Sequence, residues 1–141
     1  MNVKIKKTLD NAVIPKYAKN GDAGMDLTVA SIISNTSFQV SYDSGLAMEI
    51  PEGYVGLVFP RSSIKNMELT LSNSVGVIDS GYRGSISATF NKTNGLDSLK
   101  YKVGERFAQI IILPYPQIQF IETQELSESE RGEGGFGSTG S

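Results

Sequence analysis

The sequence contains no cysteine and no histidine. Without cysteine, disulfides, thiolate nucleophiles and cysteine-bound metals are excluded, and nothing points to an oxidising compartment. Without histidine the commonest general base and the commonest metal ligand are missing, so acid–base chemistry near neutral pH falls to carboxylates, tyrosine or lysine. An excess of one charge is lacking too: 13 Lys and Arg against 15 Asp and Glu give a net charge of −2. That balance offers no bulk attraction to nucleic acid or to an anionic membrane, so a phosphorylated ligand would need a local basic site. No segment approaches the roughly 20 apolar residues needed to span a bilayer. The lysines near Met1 have no apolar run behind them of the kind a signal peptide carries. The expectation is a cytoplasmic protein that contacts neither nucleic acid nor membrane.

What is present is period-two hydrophobicity. At 141 residues the chain suits one domain, large enough to bury roughly two thirds of its extended-chain surface. Apolar residues alternate at Val3 and Ile5, Leu27 and Val29, Phe38 to Tyr42, Leu46 to Ile50, and Val55 to Phe59. The pattern resumes at Leu69 and Leu71, Ile86 to Phe90, Ile110 and Ile112, and Ile118 and Phe120. Turn signals such as Asn20-Gly21, Ser44-Gly45, Pro51-Glu52-Gly53, Asn94-Gly95 and Pro114-Tyr115-Pro116 separate the runs. Many short strands with Gly and Pro punctuation predict an all-β sandwich or barrel. One or two helical turns are expected from Ser62 to about Met67. From Glu122 onward Ser, Glu and Gly dominate, and five of the last ten residues are glycine. Such a segment cannot bury enough area to order itself alone. The expected organisation is a β domain over 1–121 and a flexible tail over 122–141. Gly132 to Gly137 formally matches a dinucleotide-binding glycine fingerprint, but that motif has meaning only between a strand and a helix.

Five clusters carry candidate chemistry. Gly76-Val77-Ile78-Asp79-Ser80-Gly81-Tyr82-Arg83-Gly84 sets a carboxylate, a ring and a cation among glycines, between strands read as a hairpin. Glycines there let a planar ligand approach the backbone closely. Ala23-Gly24-Met25-Asp26-Leu27 places an Asp at a strand start. Pro60-Arg61-Ser62-Ser63 puts a guanidinium and two hydroxyls at a predicted helix N-terminus, where backbone N–H groups favour an anion. Gly104-Glu105-Arg106-Phe107-Ala108-Gln109 opens a strand, with Arg106 read as a strand-edge charge and Gln109 as facing solvent. Arg131 with Phe136-Gly137-Ser138-Thr139-Gly140 offers a cation, a stacking ring and phosphate-holding amides and hydroxyls.

In this order and spacing the clusters resemble the five motifs of the trimeric deoxyuridine triphosphatases, the dUTPases, over nearly the whole chain. Gly81, where the family usually has an acidic residue, and Lys65, where a small residue is common, are departures that remove no reacting group. The resemblance implies a jelly-roll-type β-barrel in a homotrimer with three active sites at subunit boundaries. Motifs one, two and four of each site come from one subunit, the Asp79 stretch from a second, and the tail from the third.

Position by position, the resemblance makes Asp79 the general base that deprotonates a water for attack on the α-phosphorus of dUTP, giving dUMP and pyrophosphate. Asp26 corresponds to a carboxylate that holds Mg2+ through water, the phosphates ligating the ion directly. Arg61, Ser62, Ser63, Gln109 and Arg131 correspond to phosphate contacts, with Gly137, Ser138 and Thr139 closing over the γ-phosphate. Asn73, Gly76, Val77 and Ile78 would read the uracil edge. Tyr82 would lie beneath the deoxyribose and Phe136 would cover the base. A dCTP deaminase on a similar fold and a non-catalytic regulatory protein acting through a partner are the competing readings. Ser31 to Gly45 and Glu122 to Glu130 are the segments where a partner surface could lie.

Overall fold

A computed structural model describes residues 1–136. Gly137, Ser138 and Thr139 lie outside the described residues. β1 (Lys4–Lys7) pairs antiparallel with a strand numbered β5 (Leu46–Glu49). One four-stranded sheet has the order β2 (Met25–Thr28), β10 (Arg106–Pro114), β6 (Tyr54–Pro60), β8 (Gly76–Ile78). The other has the order β3 (Ser31–Asn35), β4 (Gln39–Asp43), β9 (Ser87–Lys92), β7 (Leu69–Leu71). All pairings are antiparallel. The sheets do not close into one hydrogen-bonded barrel; they share a core, as two sheets of a jelly roll do.

That core is built from alternate residues of both sheets. Leu27, Val58 and Ile110 from the first meet Val40, Tyr42 and Phe90 from the second, all within 2% of full burial. Tyr42 and Phe107 span the gap with ring centroids 5.5 Å apart, and Phe90 and Tyr101 extend the cluster edge-on. Each such pair adds about 0.5–1.5 kcal/mol beyond its buried area. The hydroxyls of Tyr42 and Tyr101 are buried without a hydrogen-bond partner. Burial pushes the Tyr42 phenol up from 10.0 to about 12.

Four local expectations change. In β6 the core side is taken by Gly56 and Val58, so Val55, Leu57 and Phe59 are half-buried on the opposite face. A Cβ at Gly56 would sit 2.8 Å from Ile50 Cδ1, which explains why the smaller set points inward. Ile118 and Phe120 form no strand and are exposed, with no strand among the described residues paired to them. β3 was not foreseen; its Ile32 and Ile33 are consecutive rather than alternating. Finally, Gly76 to Phe90 is not a hairpin. β8 pairs with β6 and β9 with β4 and β7, so residues 79–86 cross from one sheet to the other. Period two marks strands but not their partners. Gly76, whose Cβ would lie 3.1 Å from Val58 Cβ, docks closely on β6.

Candidate active site

Two clusters form within the chain. The first surrounds Asp26. The register of β10 sets Gln109 opposite Asp26 on one side and opposite Phe59 on the other, so these three side chains share a face. Arg61 follows directly after β6 and forks onto the carboxylate, Nε donating to Oδ1 at 2.6 Å and Nη2 to Oδ2 at 3.3 Å. Its Nη1 donates to Ser63 Oγ at 3.0 Å. Arg106 donates to Asp26 Oδ2 at 3.1 Å. The strand-edge charge is therefore a second clamp on the same carboxylate. Gln109 donates through Nε2 to the Pro60 carbonyl at 3.0 Å. A Cβ at Gly24 would come within 2.5 Å of Gln109 Oε1, so the glycine makes room for that amide.

Gly24, Asp26, Arg61 and Gln109 line a cavity of about 400 Å³ with Lys16, Asp22 and Ser62. Among the described residues the only ion pairs involve Lys4, Arg61 and Arg106, so Lys16 brings an uncommitted cation to the cavity. The predicted helix is a five-residue 3-10 turn, Ser62–Asn66, capped by Arg61 without a side-chain bond. It is too short for a macrodipole, and any help to an anion must come from individual amides and the Arg61 charge. Among the described residues no three His, Cys, Asp or Glu side chains converge as a metal nest. Asp26 alone fits an ion held mainly by ligand oxygens and water, the usual habit of Mg2+.

The second cluster is the crossover loop. Asp79 is exposed, and its carbonyl accepts the Tyr82 N–H at 3.1 Å, closing a turn. Tyr82 donates its hydroxyl to the Ser85 carbonyl at 3.0 Å. Arg83 Nη1 braces the turn by donating to the Ser80 and Tyr82 carbonyls at 2.6 and 3.0 Å. Gly84 allows the Tyr82 ring to lie over it, since a Cβ there would be 2.5 Å from Cζ and 2.9 Å from Cε2. Asp79 and Tyr82 line a cleft of about 130 Å³ with Val77, Ile78 and Ser87. Asn73 and Gly76 line a neighbouring cavity of about 320 Å³ that also touches Ser87. β8 is the last strand of its sheet, so one side of its backbone has no strand partner among the described residues. Its free N–H and C=O groups are available to a ligand with a complementary edge.

The two clusters do not meet. β2 and β8 are the opposite edges of one four-stranded sheet, and by register Asp79 lies level with Val55 while Asp26 lies level with Phe59, so the two are roughly 14 Å apart across the strands and about 13 Å apart along them. Arg131 and Phe136 are exposed and reach neither cluster, and the tail's hydrogen bonds, such as Gly132 N–H to the Ser129 carbonyl at 3.1 Å, are local. Sequence reasoning missed Lys16, and it missed Arg106 as a partner of Asp26; Arg106 was visible as a charge beside Gln109, whereas nothing local singles out Lys16.

A family described as dUTPase matches residues 10–140. The chain is 41% identical to the deoxyuridine 5'-triphosphate nucleotidohydrolase of Nautilia profundicola, covering 99% of each chain. It is 37% identical to the protein of that name from Thermobifida fusca, covering 99% of this chain and 79% of the relative. In structure it is similar to a variant of the dUTPase of Staphylococcus bacteriophage 80alpha solved with dUpNHpp, with a TM-score of 0.88, 28% identity and 99% coverage of both chains. Because the match runs through the strands and loop that carry both clusters, the chain belongs to the dUTPase family.

Proposed function

We propose that the protein hydrolyses dUTP to dUMP and pyrophosphate, with Asp79 as the general base. A water oxygen bonds to the α-phosphorus, its proton passes to the Asp79 carboxylate, and the bond to the bridging oxygen breaks with pyrophosphate leaving. Carboxylates are ionised at neutral pH and can accept that proton, which suits a chain without histidine. Arg61, Ser62, Ser63 and Gln109 contact the phosphates and stabilise charge that builds on them, and Lys16 adds a further cation. Mg2+, held through water at Asp26, supplies charge neutralisation on the phosphate oxygens when bound.

Selectivity follows from the edge strand. Uracil presents acceptor, donor and acceptor along one edge, and the unpartnered backbone of Gly76, Val77 and Ile78, with Asn73 near, offers the complement. Cytosine reverses two of those roles, and a buried polar mismatch discriminates by about 10⁴ or more. Tyr82 packs beneath the deoxyribose. Arg131, Phe136, Gly137, Ser138 and Thr139, on an arm formed by residues 122–141, close over the nucleotide and exclude water.

The observation that carries the reading is the separation of Arg61, just past the end of β6, from Asp79, just past the end of the antiparallel β8, roughly 20 Å apart along the strand direction. A single copy cannot bring Arg61 and Asp79 to one triphosphate, so we assign a homotrimer with sites shared between copies. Two surfaces support this. Val55, Leu57, Ile111 and Leu113 form adjacent rungs on the outward face of β6 and β10, only half-buried in one chain. Ile118, Phe120 and Ile121 are exposed at 69%, 92% and 82%, more apolar surface than an isolated strand-like segment keeps in water. A cytoplasmic enzyme acting on free nucleotide fits the charge balance. The test is product analysis with Mg2+ and each of dUTP, dCTP, dTTP and UTP. Pyrophosphate from dUTP alone is expected; ammonia from dCTP would overturn the reading in favour of a deaminase, and absent turnover with retained dUTP binding in favour of a regulator.

A further inference from the structure

The loop that carries Asp79 and Tyr82 is fastened at its far end to a turn that the proposed reaction leaves unused. β4 ends at Asp43, and Ser44 and Gly45 follow. Gly45 has φ +65°, and a Cβ there would lie 3.0 Å from the Cβ atoms of Leu9 and Ala12, so backbone and packing both require glycine. Ser44 is fully buried, and its N–H and hydroxyl both donate to the Ile86 carbonyl, at 3.0 and 2.7 Å. The Ile86 N–H donates to the Leu46 carbonyl at 2.8 Å. Asp43 Oδ1 accepts the Gly45 N–H at 2.7 Å and also the Ser85 hydroxyl. Thr8 donates its hydroxyl to Ser85 Oγ at 3.2 Å. The Ser85 carbonyl in turn holds the Tyr82 hydroxyl at 3.0 Å.

We propose that Asp43, acting through Ser85, is a positioning residue for sugar selection: it fixes the carbonyl on which the Tyr82 hydroxyl is held. The inference rests on the reading that Tyr82 lies beneath the deoxyribose. A ring excludes a 2′-hydroxyl only if it cannot retreat, and the loop tip from Ser80 to Gly84 has little else to hold it. Its own bonds, from Arg83 and from the Tyr82 N–H, are internal to the turn. Beyond the β8 end of the loop, the link to the core therefore runs through Ser85 and Ile86. A hydroxyl donating to a carboxylate is stronger than a neutral pair, so the carboxylate is the firm end of the chain.

Ser85→Ala tests this with the full-length protein, because it cuts the link while leaving the Asp43 bond to the Gly45 N–H and the Ser44 bonds to Ile86. Steady-state hydrolysis of dUTP, with UTP as competing inhibitor, gives the ratio of the UTP Ki to the dUTP KM, and a melting curve gives stability. The ratio should fall about threefold or more in Ser85→Ala. It should fall less in Asp43→Asn, which keeps an acceptor oxygen, and most in Tyr82→Ala. A lowered Tm with an unmoved ratio in Ser85→Ala, while Tyr82→Ala shifts the ratio, overturns the positioning role and leaves a structural one. A ratio unmoved in both variants overturns the placing of Tyr82 under the sugar, and the positioning role with it.

Discussion

Gly84→Ala is a one-carbon change whose consequence the structure defines closely. Gly84 does not occupy the left-handed region, so alanine strains no backbone there. The added Cβ would instead lie 2.5 Å from Tyr82 Cζ and 2.9 Å from Cε2, with the hydroxyl closer still, so the ring must leave its place and break its bond to the Ser85 carbonyl. That bond is worth about 0.5–1.5 kcal/mol, or roughly two- to twelvefold in affinity. Displacing by about 1 Å a group that orients substrate can cost about 10²-fold. The value of kcat/KM for dUTP should therefore fall by about ten- to a hundredfold. Gly81→Ala is the matched control in the same loop: a Cβ there meets nothing within 4 Å and the backbone is unstrained. That variant should stay within about twofold of the parent. Pyrophosphate release at varied dUTP measures both, and melting curves confirm that both fold. Equal activity in the two variants would refute the argument that the Tyr82 ring holds substrate through its seat on Gly84.

Asp79→Asn should keep dUTP binding, measured by calorimetry, and lose about 10²- to 10⁴-fold in turnover, the usual worth of a general base; unchanged turnover would contradict the assignment. Deleting residues 131–141 should leave the assembly intact by light scattering and its catalysis greatly weakened; full activity would dismiss the arm as a closing element. Tyr42, with its phenol pushed up to about 12 by burial, is held neutral in the fold. Its unfolded form loses a proton near pH 10 and the folded form does not, so stability is present below pH 10 and falls as pH rises from 10 to about 12. Tyr42→Phe should flatten that fall in denaturant melts. It should cost little stability at pH 7, because the hydroxyl it removes has no partner.

Most of the strands were legible because a single buried face imposes period two, as on Leu69 and Leu71 and on Ile86 to Phe90. Which face is buried was less legible. In β6 the larger residues lie outward, a choice made by the space Ile50 leaves at Gly56 and by an outer face that is itself apolar. Strand partners were not legible at all, so the crossover at 79–86 was read as a hairpin. The site residues could be named from local chemistry, yet their grouping depends on register. Asp26, Gln109 and Phe59 come together only because β2, β10 and β6 pair as they do. The Arg106 bond to Asp26 joins residues far apart in the chain, a contact that no local pattern encodes. The Ser85 link to Asp43 was hidden for the same reason.

The central claim is that Arg61 and Asp79, at opposite ends of the paired strands β6 and β8, act on the same triphosphate only across copies. Co-expression of Asp79→Asn and Arg61→Ala chains tests it most directly, since each variant alone should be nearly inactive. In a ring of three, every mixed assembly regains one intact site, and equal random mixing restores about a quarter of the parent activity. Activity no greater than that of the separate variants would show that both residues serve from one chain, and would contradict the account.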